Sequence, residues 1–248
     1  MRPLSGAIVA LVVIPLASAA ATLAHAGVEV VYGPIADETL MRQMKWGRVG
    51  ENIRSHLLSF APNASFTLRL ADCGQVNAFY AARAGHREIR LCSELLGHLI
   101  EQKGDNQGAS RREQRAAGGA TLWIAGHELG HYLLHRHQLP FLGREEDVAD
   151  QVGTAILLRS QLSREGVWGV IRYFSRDVEE QDAGDVHSLD ATRRANLACL
   201  ALGTGQRTYE SLTSLIPAHR VAGCRAEFEK FWRGIRAFQR SARSSTSR

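Results

Sequence analysis

The chain has 248 residues, of which 45% are hydrophobic, 22% charged and 7% aromatic. These proportions are those of an ordinary globular protein, and they exclude a collagen, a low-complexity disordered chain and a coiled coil. The 30 basic and 25 acidic residues give a net charge of +5. Five basic residues lie within 233–248 without an acid and Arg2 is another, so residues 27–232 carry a net charge of −1. Because this body shows no basic patch with interleaved aromatic residues, we expect no nucleic-acid partner.

The first 26 residues have the pattern of a secretory signal peptide. Arg2 precedes a short apolar run at 7–17, and the segment ends in Ala24-His25-Ala26. Small residues at positions −3 and −1 favour cleavage after Ala26, although the alanines at 19–21 offer a second site. The apolar run is short for a membrane span, so an uncleaved anchor is the weaker alternative. We expect an exported protein, periplasmic or secreted, with no transmembrane span after signal removal.

Four cysteines are present: Cys73, Cys92, Cys199 and Cys224. In an oxidising compartment an even number of cysteines indicates two disulfides, and four cysteines allow three pairings. The local pairing, Cys73–Cys92 with Cys199–Cys224, would close loops of 18 and 24 intervening residues. A cysteine metal site is disfavoured because the chain contains no C-x-x-C.

The pattern of apolar residues predicts a small sheet with helices, followed by a run of helices. Alternation of apolar and polar residues favours strands at 28–32, 66–70, 77–80 and 88–91. Helical spacing favours helices at 36–60, from residue 93, at 120–138, 144–160, 166–176 and 188–202, and after Pro217. The polar, charged segment 103–115 is predicted to be a loop. This order predicts an α+β fold with a mainly helical C-terminal part.

The most informative motif is His127-Glu128-Leu129-Gly130-His131, within the predicted helix 120–138. Residues four apart lie on one face of a helix, so both imidazoles can bind one zinc ion. Glu128 lies beside them and can take a proton from a water molecule at the metal. Apolar residues flank the motif on both sides, which indicates a buried helix rather than an exposed one with scattered histidines.

A catalytic zinc ion needs a third protein ligand. His135 does not fit because it lies about 12 Å along the helix axis from His127. The predicted helix 144–160 offers better candidates in Glu146 and Asp150, which share one face, while Gly153 allows the two helices to approach closely. We expect Glu146 to bind zinc and Asp150 to accept a hydrogen bond from a ligating histidine. We interpret the acidic residues at 145 and 147 as charges that favour the helix N-terminus.

The arrangement E-x-x-A-D after an H-E-x-x-H helix resembles the gluzincin metallopeptidases. More closely, the chain resembles an exported bacterial family of metallopeptidases whose function is not established. The shared stretches include Cys73-Gly74, Asn77-Ala78-Phe79-Tyr80, the H-E-x-x-H helix, Gly143-Arg144-Glu145-Glu146-Asp147, His187-Ser188-Leu189-Asp190 and the last two cysteines. The chain departs from the pattern at Val186 and Ala195, where an acidic and an aromatic residue are usual.

The resemblance implies a zincin-like α+β fold and the two local disulfides. It also implies that Glu146 is the third zinc ligand and that Asp150 supports a ligating histidine. We accordingly divide the chain into a signal peptide at 1–26, a zincin-like metallopeptidase domain at 27–232 and a basic, partly disordered tail at 233–248.

His187 is a hypothetical donor to the oxyanion that forms when a peptide bond is attacked. It follows Asp182 and Asp185 in a polar segment, and either carboxylate can orient its ring. A surface histidine beside the cap residue Ser188 is the alternative interpretation. Tyr132 and Tyr173 are weaker candidates for the same role.

The sequence therefore predicts a metallopeptidase with one Zn²⁺ per chain that hydrolyses peptides or proteins. His127, His131 and Glu146 would hold the metal, and Glu128 would be the general base. One alternative is a zinc hydrolase that acts on cell-wall peptides or amides. Another is an exported binding or regulatory protein with zinc but without turnover. For the basic tail, a solvated terminus and a contact with anionic lipids or wall polymers both remain open.

Overall fold

A computed structural model describes residues 27–100, 110–141, 143–175 and 190–244. The predicted signal peptide at 1–26 and the segment with His187 lie outside these residues. The described strands are β1 (Val28–Tyr32), β2 (Phe66–Ala71), β3 (Ala78–Arg83) and β4 (His86–Cys92). The helices before residue 160 are α1 (Glu38–Trp46), α2 (Val49–Phe60), α3 (Ser93–Ile100), α4 (Arg111–His137) and α5 (Glu145–Arg159). The later helices are α6 (Ser163–Tyr173), α7 (Asp190–Gly203), a 3-10 helix (Arg207–Leu215), α8 (Ala218–Val221) and α9 (Cys224–Ser244).

The four strands form one mixed sheet in the order β1-β2-β4-β3. β1, β2 and β4 are parallel, whereas β3 is antiparallel to β4 and forms the outer strand. A tight turn joins β3 to β4 through Ala84 and Gly85, both with positive φ. This small N-terminal sheet and the mainly helical remainder confirm the α+β prediction.

Two helices replace the single helix predicted for 36–60. The helix is interrupted at Gly47 and Arg48, where Arg48 adopts a left-handed backbone conformation with a φ of 50°. The hydroxyl of Tyr32 explains where α2 begins, because it accepts a hydrogen bond of 3.0 Å from the Gly50 N–H and donates one of 2.9 Å to Glu51. A strand residue thus satisfies a backbone donor in the first turn of the second helix.

The central helix α4 begins nine residues before the predicted position. Ser110 caps it: the Ser110 hydroxyl accepts from the Glu113 N–H, and the Glu113 carboxylate accepts from the Ser110 N–H. The predicted loop at 103–115 is therefore wrong for residues 111–115, which form the first turn of α4. The S-x-x-E spacing of a capping box was visible in the sequence and marks this start.

The structure contains both local disulfides. Cys73, which follows β2, joins Cys92 at the end of β4 with a Cα–Cα distance of 5.4 Å. Cys199 on α7 joins Cys224 at the start of α9 with a Cα–Cα distance of 5.0 Å. Two disulfides are consistent with an exported protein.

The last helix runs through the predicted domain boundary at 232. α9 continues without a break to Ser244, so residues 233–244 of the predicted tail are helical. Phe231 and Ile235 are buried, which ties both sides of that boundary to the same core. Among the described helices, none is both long enough and apolar enough to span a membrane.

Candidate metal centre

The buried helix α4 carries the H-E-x-x-H motif at its centre. His127 and Glu128 are 6% and 7% exposed, and the His131 side chain is half-buried. The ring of Trp123, one turn earlier, stacks on the ring of His127 with centroids 5.7 Å apart. The Trp123 indole N–H donates to the hydroxyl of Thr154 on α5 at 3.0 Å. These contacts fix both the His127 ring and the position of α5 beside it.

α5 crosses α4 at a point where small residues allow the two backbones to touch. A Cβ on Gly153 would lie 2.6 Å from the carbonyl oxygen of Trp123, and a Cβ on Gly130 would lie 2.6 Å from Cα of Ala149. No side chain fits at either distance, so glycine at both positions sets the separation of the helices. The predicted close approach at Gly153 is confirmed. It places the acidic first turn of α5 beside the two histidines of α4.

Three side chains converge where the helices cross. Nε2 of His127 lies 3.1 Å from Nε2 of His131. One carboxylate oxygen of Glu146 lies 3.1 Å from Nε2 of His127 and 3.4 Å from Nε2 of His131. Tetrahedral ligands at about 2.0–2.1 Å from a zinc ion lie about 3.3 Å from one another. The spacing of these two nitrogens and one oxygen therefore fits a single metal ion.

The opposite nitrogen of each imidazole contacts a carboxylate on α5. Nδ1 of His127 lies 2.8 Å from Asp150, and Nδ1 of His131 lies 2.8 Å from Glu145. If each Nδ1 carries the proton, the lone pairs of both Nε2 atoms face the Glu146 oxygen. Three acceptor atoms this close together repel one another unless a cation lies between them. The expectation for Asp150 agrees with this geometry. Glu145 lies in the first turn of α5, as the helix-end interpretation expects, and its carboxylate also contacts His131.

Arg193 on α7 is a site residue that the sequence reasoning missed. Its guanidinium donates to both oxygens of Asp150, from Nε at 2.8 Å and from Nη2 at 2.7 Å. It lies over the ring of Phe174 at 4.2 Å from the centroid. No local pattern identifies it, since 43 residues separate the two partners.

The electrostatics of the site favour positive charge at the histidines. Burial lowers the pKa of His127, but the hydrogen bonds to the Asp150 and Glu146 carboxylates outweigh burial and raise it to about 9. Burial likewise raises the pKa of Asp150, and the hydrogen bonds from His127 and Arg193 reverse this and hold it below its usual range. The carboxylates thus favour a bound proton or metal ion at the two histidines.

Glu128 lies in a different environment from the other acids. Burial raises its pKa, and the nearby His127 and His131 together with the backbone N–H of Tyr80, which donates to the carboxylate, only partly offset burial. A buried carboxylate with a raised pKa is a stronger base than an exposed one. Its hydrogen bond to Tyr80 ties the outer strand β3 to α4.

A cleft of about 580 Å³ opens over these residues. Strand β3 and the preceding Asn77 form one wall, and the aromatic residues Trp123, Tyr173 and Phe174 form another. Tyr173, a weaker oxyanion candidate, therefore lines the cleft. Tyr132 does not: its hydroxyl accepts from the Ser65 N–H at 2.9 Å.

His135 and His187 are two further histidines that the sequence offered as candidates. Nδ1 of His135 lies 2.8 Å from the Tyr80 hydroxyl, so His135 supports β3 rather than the metal site, as its distance along the helix predicted. His187, the proposed oxyanion donor, lies outside the described residues and stays a prediction.

Comparison with known proteins places the chain in a family. The model of the family DUF4344, described as "Putative metallopeptidase", matches residues 36–235. This range contains strands β2, β3 and β4 of the sheet, the crossing of α4 with α5, and Arg193. No curated protein and no solved structure matches the chain. The chain belongs to the DUF4344 family of metallopeptidases.

Proposed function

We propose that this protein is a zinc-dependent metallopeptidase. The observation that carries the proposal is the convergence of His127, His131 and Glu146 within 4.8 Å of one another, beside the buried carboxylate of Glu128. The family match supports metal-dependent peptidase chemistry in general terms. Two imidazoles and one carboxylate are a ligand set typical of catalytic zinc, which keeps a further position open for water or substrate.

The protein's own groups have separable roles in this proposal. A bound zinc ion supplies a Lewis acid for the scissile carbonyl and lowers the pKa of water beside it. Glu128 takes a proton from the attacking water and passes it to the leaving amine, so that a carboxylic acid and a free amino group are the products. Asp150 and Glu145 hold the two imidazoles with Nε2 directed at the metal position.

The outer strand β3 is the natural place for the substrate backbone. It lies at the edge of the sheet, lines the cleft, and is fixed to α4 through the contacts of Tyr80 with Glu128 and His135. An extended peptide can add to such an edge by main-chain hydrogen bonds. The peptide bond that follows this edge would pass beside Glu128. We therefore expect peptides or proteins in extended conformation as substrates.

The test compares zinc-loaded wild-type protein with Glu128→Gln on a mixture of peptides and cell-wall fragments. Glu128→Gln should retain zinc and lose at least a hundredfold in kcat, because it removes the base but no ligand. Glu210→Gln, an exposed change of the same type, should be unaffected. Equal turnover in wild type and Glu128→Gln would overturn the proposal. Activity on wall fragments alone would favour the cell-wall alternative, and zinc without any turnover would favour a binding protein.

We also propose that the protein is exported. The signal-like residues 1–26 support this, and so do the two disulfides. N-terminal sequencing of protein recovered outside the cytoplasm should begin at Gly27. Recovery only from the cytoplasm, with residues 1–26 intact and the thiols reduced, would contradict it.

A further inference from the structure

Helix α9 has one buried side and one strongly basic side. Phe231 and Ile235 point into the core. The opposite side carries five exposed basic residues, which we call the cationic face: Arg225, Lys230, Arg233, Arg236 and Arg240. Lys230, Arg233, Arg236 and Arg240 lie three or four positions apart and form a band along one side of the helix. Arg225 lies three turns before Arg236 on the same side and extends the band to about 22 Å.

Two acids of α9 lie near this band, and each is ion-paired with an arginine. Glu227, which is close enough to Lys230 to feel its charge, pairs with Arg220 at 2.7 Å, and Glu229 pairs with Arg225 at 2.9 Å. Within the described residues, no acid lies within ion-pair distance of Arg233, Arg236 or Arg240. A further cation lies beside the band, since exposed Arg159 of α5 covers the ring of Trp232.

The concentration of charge contrasts with the rest of the protein. Residues 27–232 carry a net charge of −1, so the basic character of the chain is local to this helix and its end. From Lys230 to Arg240, successive basic residues are separated along the helix axis by about 4.5–6 Å. This is less than the screening length of about 8 Å at physiological ionic strength, so the potentials of neighbouring residues add.

We propose that the cationic face binds the surface of an anionic phospholipid bilayer. A straight helix side with a row of basic side chains can contact many lipid headgroups at once, and each Lys or Arg near such a surface adds to the attraction. A nucleic acid is a poorer fit because the aromatic rings of α9 are already covered: Phe231 is buried, Arg159 lies over the ring of Trp232, and Phe228 packs against that ring. They offer no free stacking platform to bases. This proposal does not depend on the metal or on peptidase activity.

The experiment measures co-sedimentation of residues 27–248, which contain every described element, with phosphatidylcholine vesicles that lack or contain about a third phosphatidylglycerol. The test variant replaces Arg233, Arg236 and Arg240 by Gln. The control variant replaces Arg42, Arg83 and Arg112 by Gln, which removes the same charge from exposed positions on other elements. Thermal unfolding of both variants verifies that the fold is retained.

Wild type should bind the anionic vesicles and not the neutral ones, and added salt should release it. At about fivefold per charge, the test variant should lose on the order of a hundredfold in partitioning, while the control variant loses less than threefold. No binding by wild type, or equal losses in both variants, would overturn the proposal. Binding to polyglutamate or duplex DNA through the same three arginines, without binding to vesicles, would also overturn it.

Discussion

The guanidinium of Arg193 donates two hydrogen bonds, of 2.8 and 2.7 Å, to the carboxylate of Asp150, which also lies 2.8 Å from Nδ1 of His127. This chain of contacts links α7, through α5, to His127 on α4, which we propose as a metal ligand. A two-pronged contact fixes the plane of the carboxylate, which a single hydrogen bond does not. The orientation of His127 therefore depends on a residue that does not touch the metal position.

Arg193→Gln should weaken zinc binding by about tenfold, because Asp150 loses its two donors and His127 loses a fixed partner. Arg193→Lys keeps the charge but not the fork and should give an intermediate loss. Competition with a chromophoric chelator measures the affinity. Arg194→Gln, which changes the neighbouring residue and its contact with Ser175, is the matched control. An unchanged zinc affinity in Arg193→Gln would show that Asp150 is positioned without it.

Glu145 and Asp147 distinguish a ligand-supporting role from a helix-end charge. Both lie in the first turn of α5, but only the Glu145 carboxylate contacts His131. Glu145→Gln should lower zinc affinity by about threefold, less than Arg193→Gln, because the Glu145 side chain is 45% exposed to solvent. Asp147→Asn should leave affinity unchanged while removing the same charge from the helix end. Equal effects of the two substitutions would restore the helix-end interpretation.

Gly153→Ala should destabilise the protein by about 1–3 kcal/mol, since the new methyl group would press on the carbonyl of Trp123 and push α5 away from α4. Zinc affinity should fall as well, because Glu146 moves with α5. Gly234→Ala on α9, where a Cβ meets nothing within 4 Å, should instead stabilise by about 0.5–1 kcal/mol. Chemical denaturation measures both. A stable, zinc-binding Gly153→Ala variant would contradict the proposed helix spacing.

Glu88 on β4 makes the folding stability of the protein depend on pH, and this dependence does not involve the proposed metal site. Its carboxylate contacts Arg69 at 2.8 Å and Arg90 at 2.6 Å. Burial raises the pKa of Glu88, but the hydrogen bonds from the two arginines outweigh burial and hold it below its usual range. Its contribution to stability is therefore present above the ordinary pKa of a glutamate and is lost as the pH falls through the lowered one.

Glu88→Gln should consequently be less stable than wild type at pH 7, by about 1–3 kcal/mol. The difference should shrink at pH values below the lowered pKa, where wild type is itself protonated. Urea unfolding of both proteins across this range measures the difference. A constant difference at all pH values would show that the side-chain shape, not the charge, stabilises the sheet.

The sequence predicted the features that depend on residues close together in the chain. The strands at 28–32 and 66–70 and the helix 144–160 follow from local periodicity, and the structure has each with bounds that differ by at most one residue. The three proposed ligands followed from spacing on two helices and from resemblance, and the structure brings them together. The expected disulfides rested on the resemblance, and both are present.

What the sequence did not reveal depends on contacts between distant segments. Arg193 reaches Asp150 only because α7 packs beside the crossing of α4 and α5. The break between α1 and α2 depends on the hydroxyl of Tyr32, which comes from a neighbouring strand. The early start of α4 is an exception, because the spacing of Ser110 and Glu113 is a local pattern that is typical of a helix N-terminus. The contact of Glu145 with His131 was missed because the helix-end explanation already accounted for an acidic residue in the first turn of α5.

The most direct test of the account is the zinc content of the folded protein after loading and removal of free metal, by elemental analysis. The proposed zinc site predicts about one zinc ion per chain in wild type and in Glu128→Gln, and little in His127→Ala or Glu146→Ala. A folded wild-type chain that retains no zinc would contradict the account, and so would a Glu146→Ala chain that binds zinc as tightly as wild type.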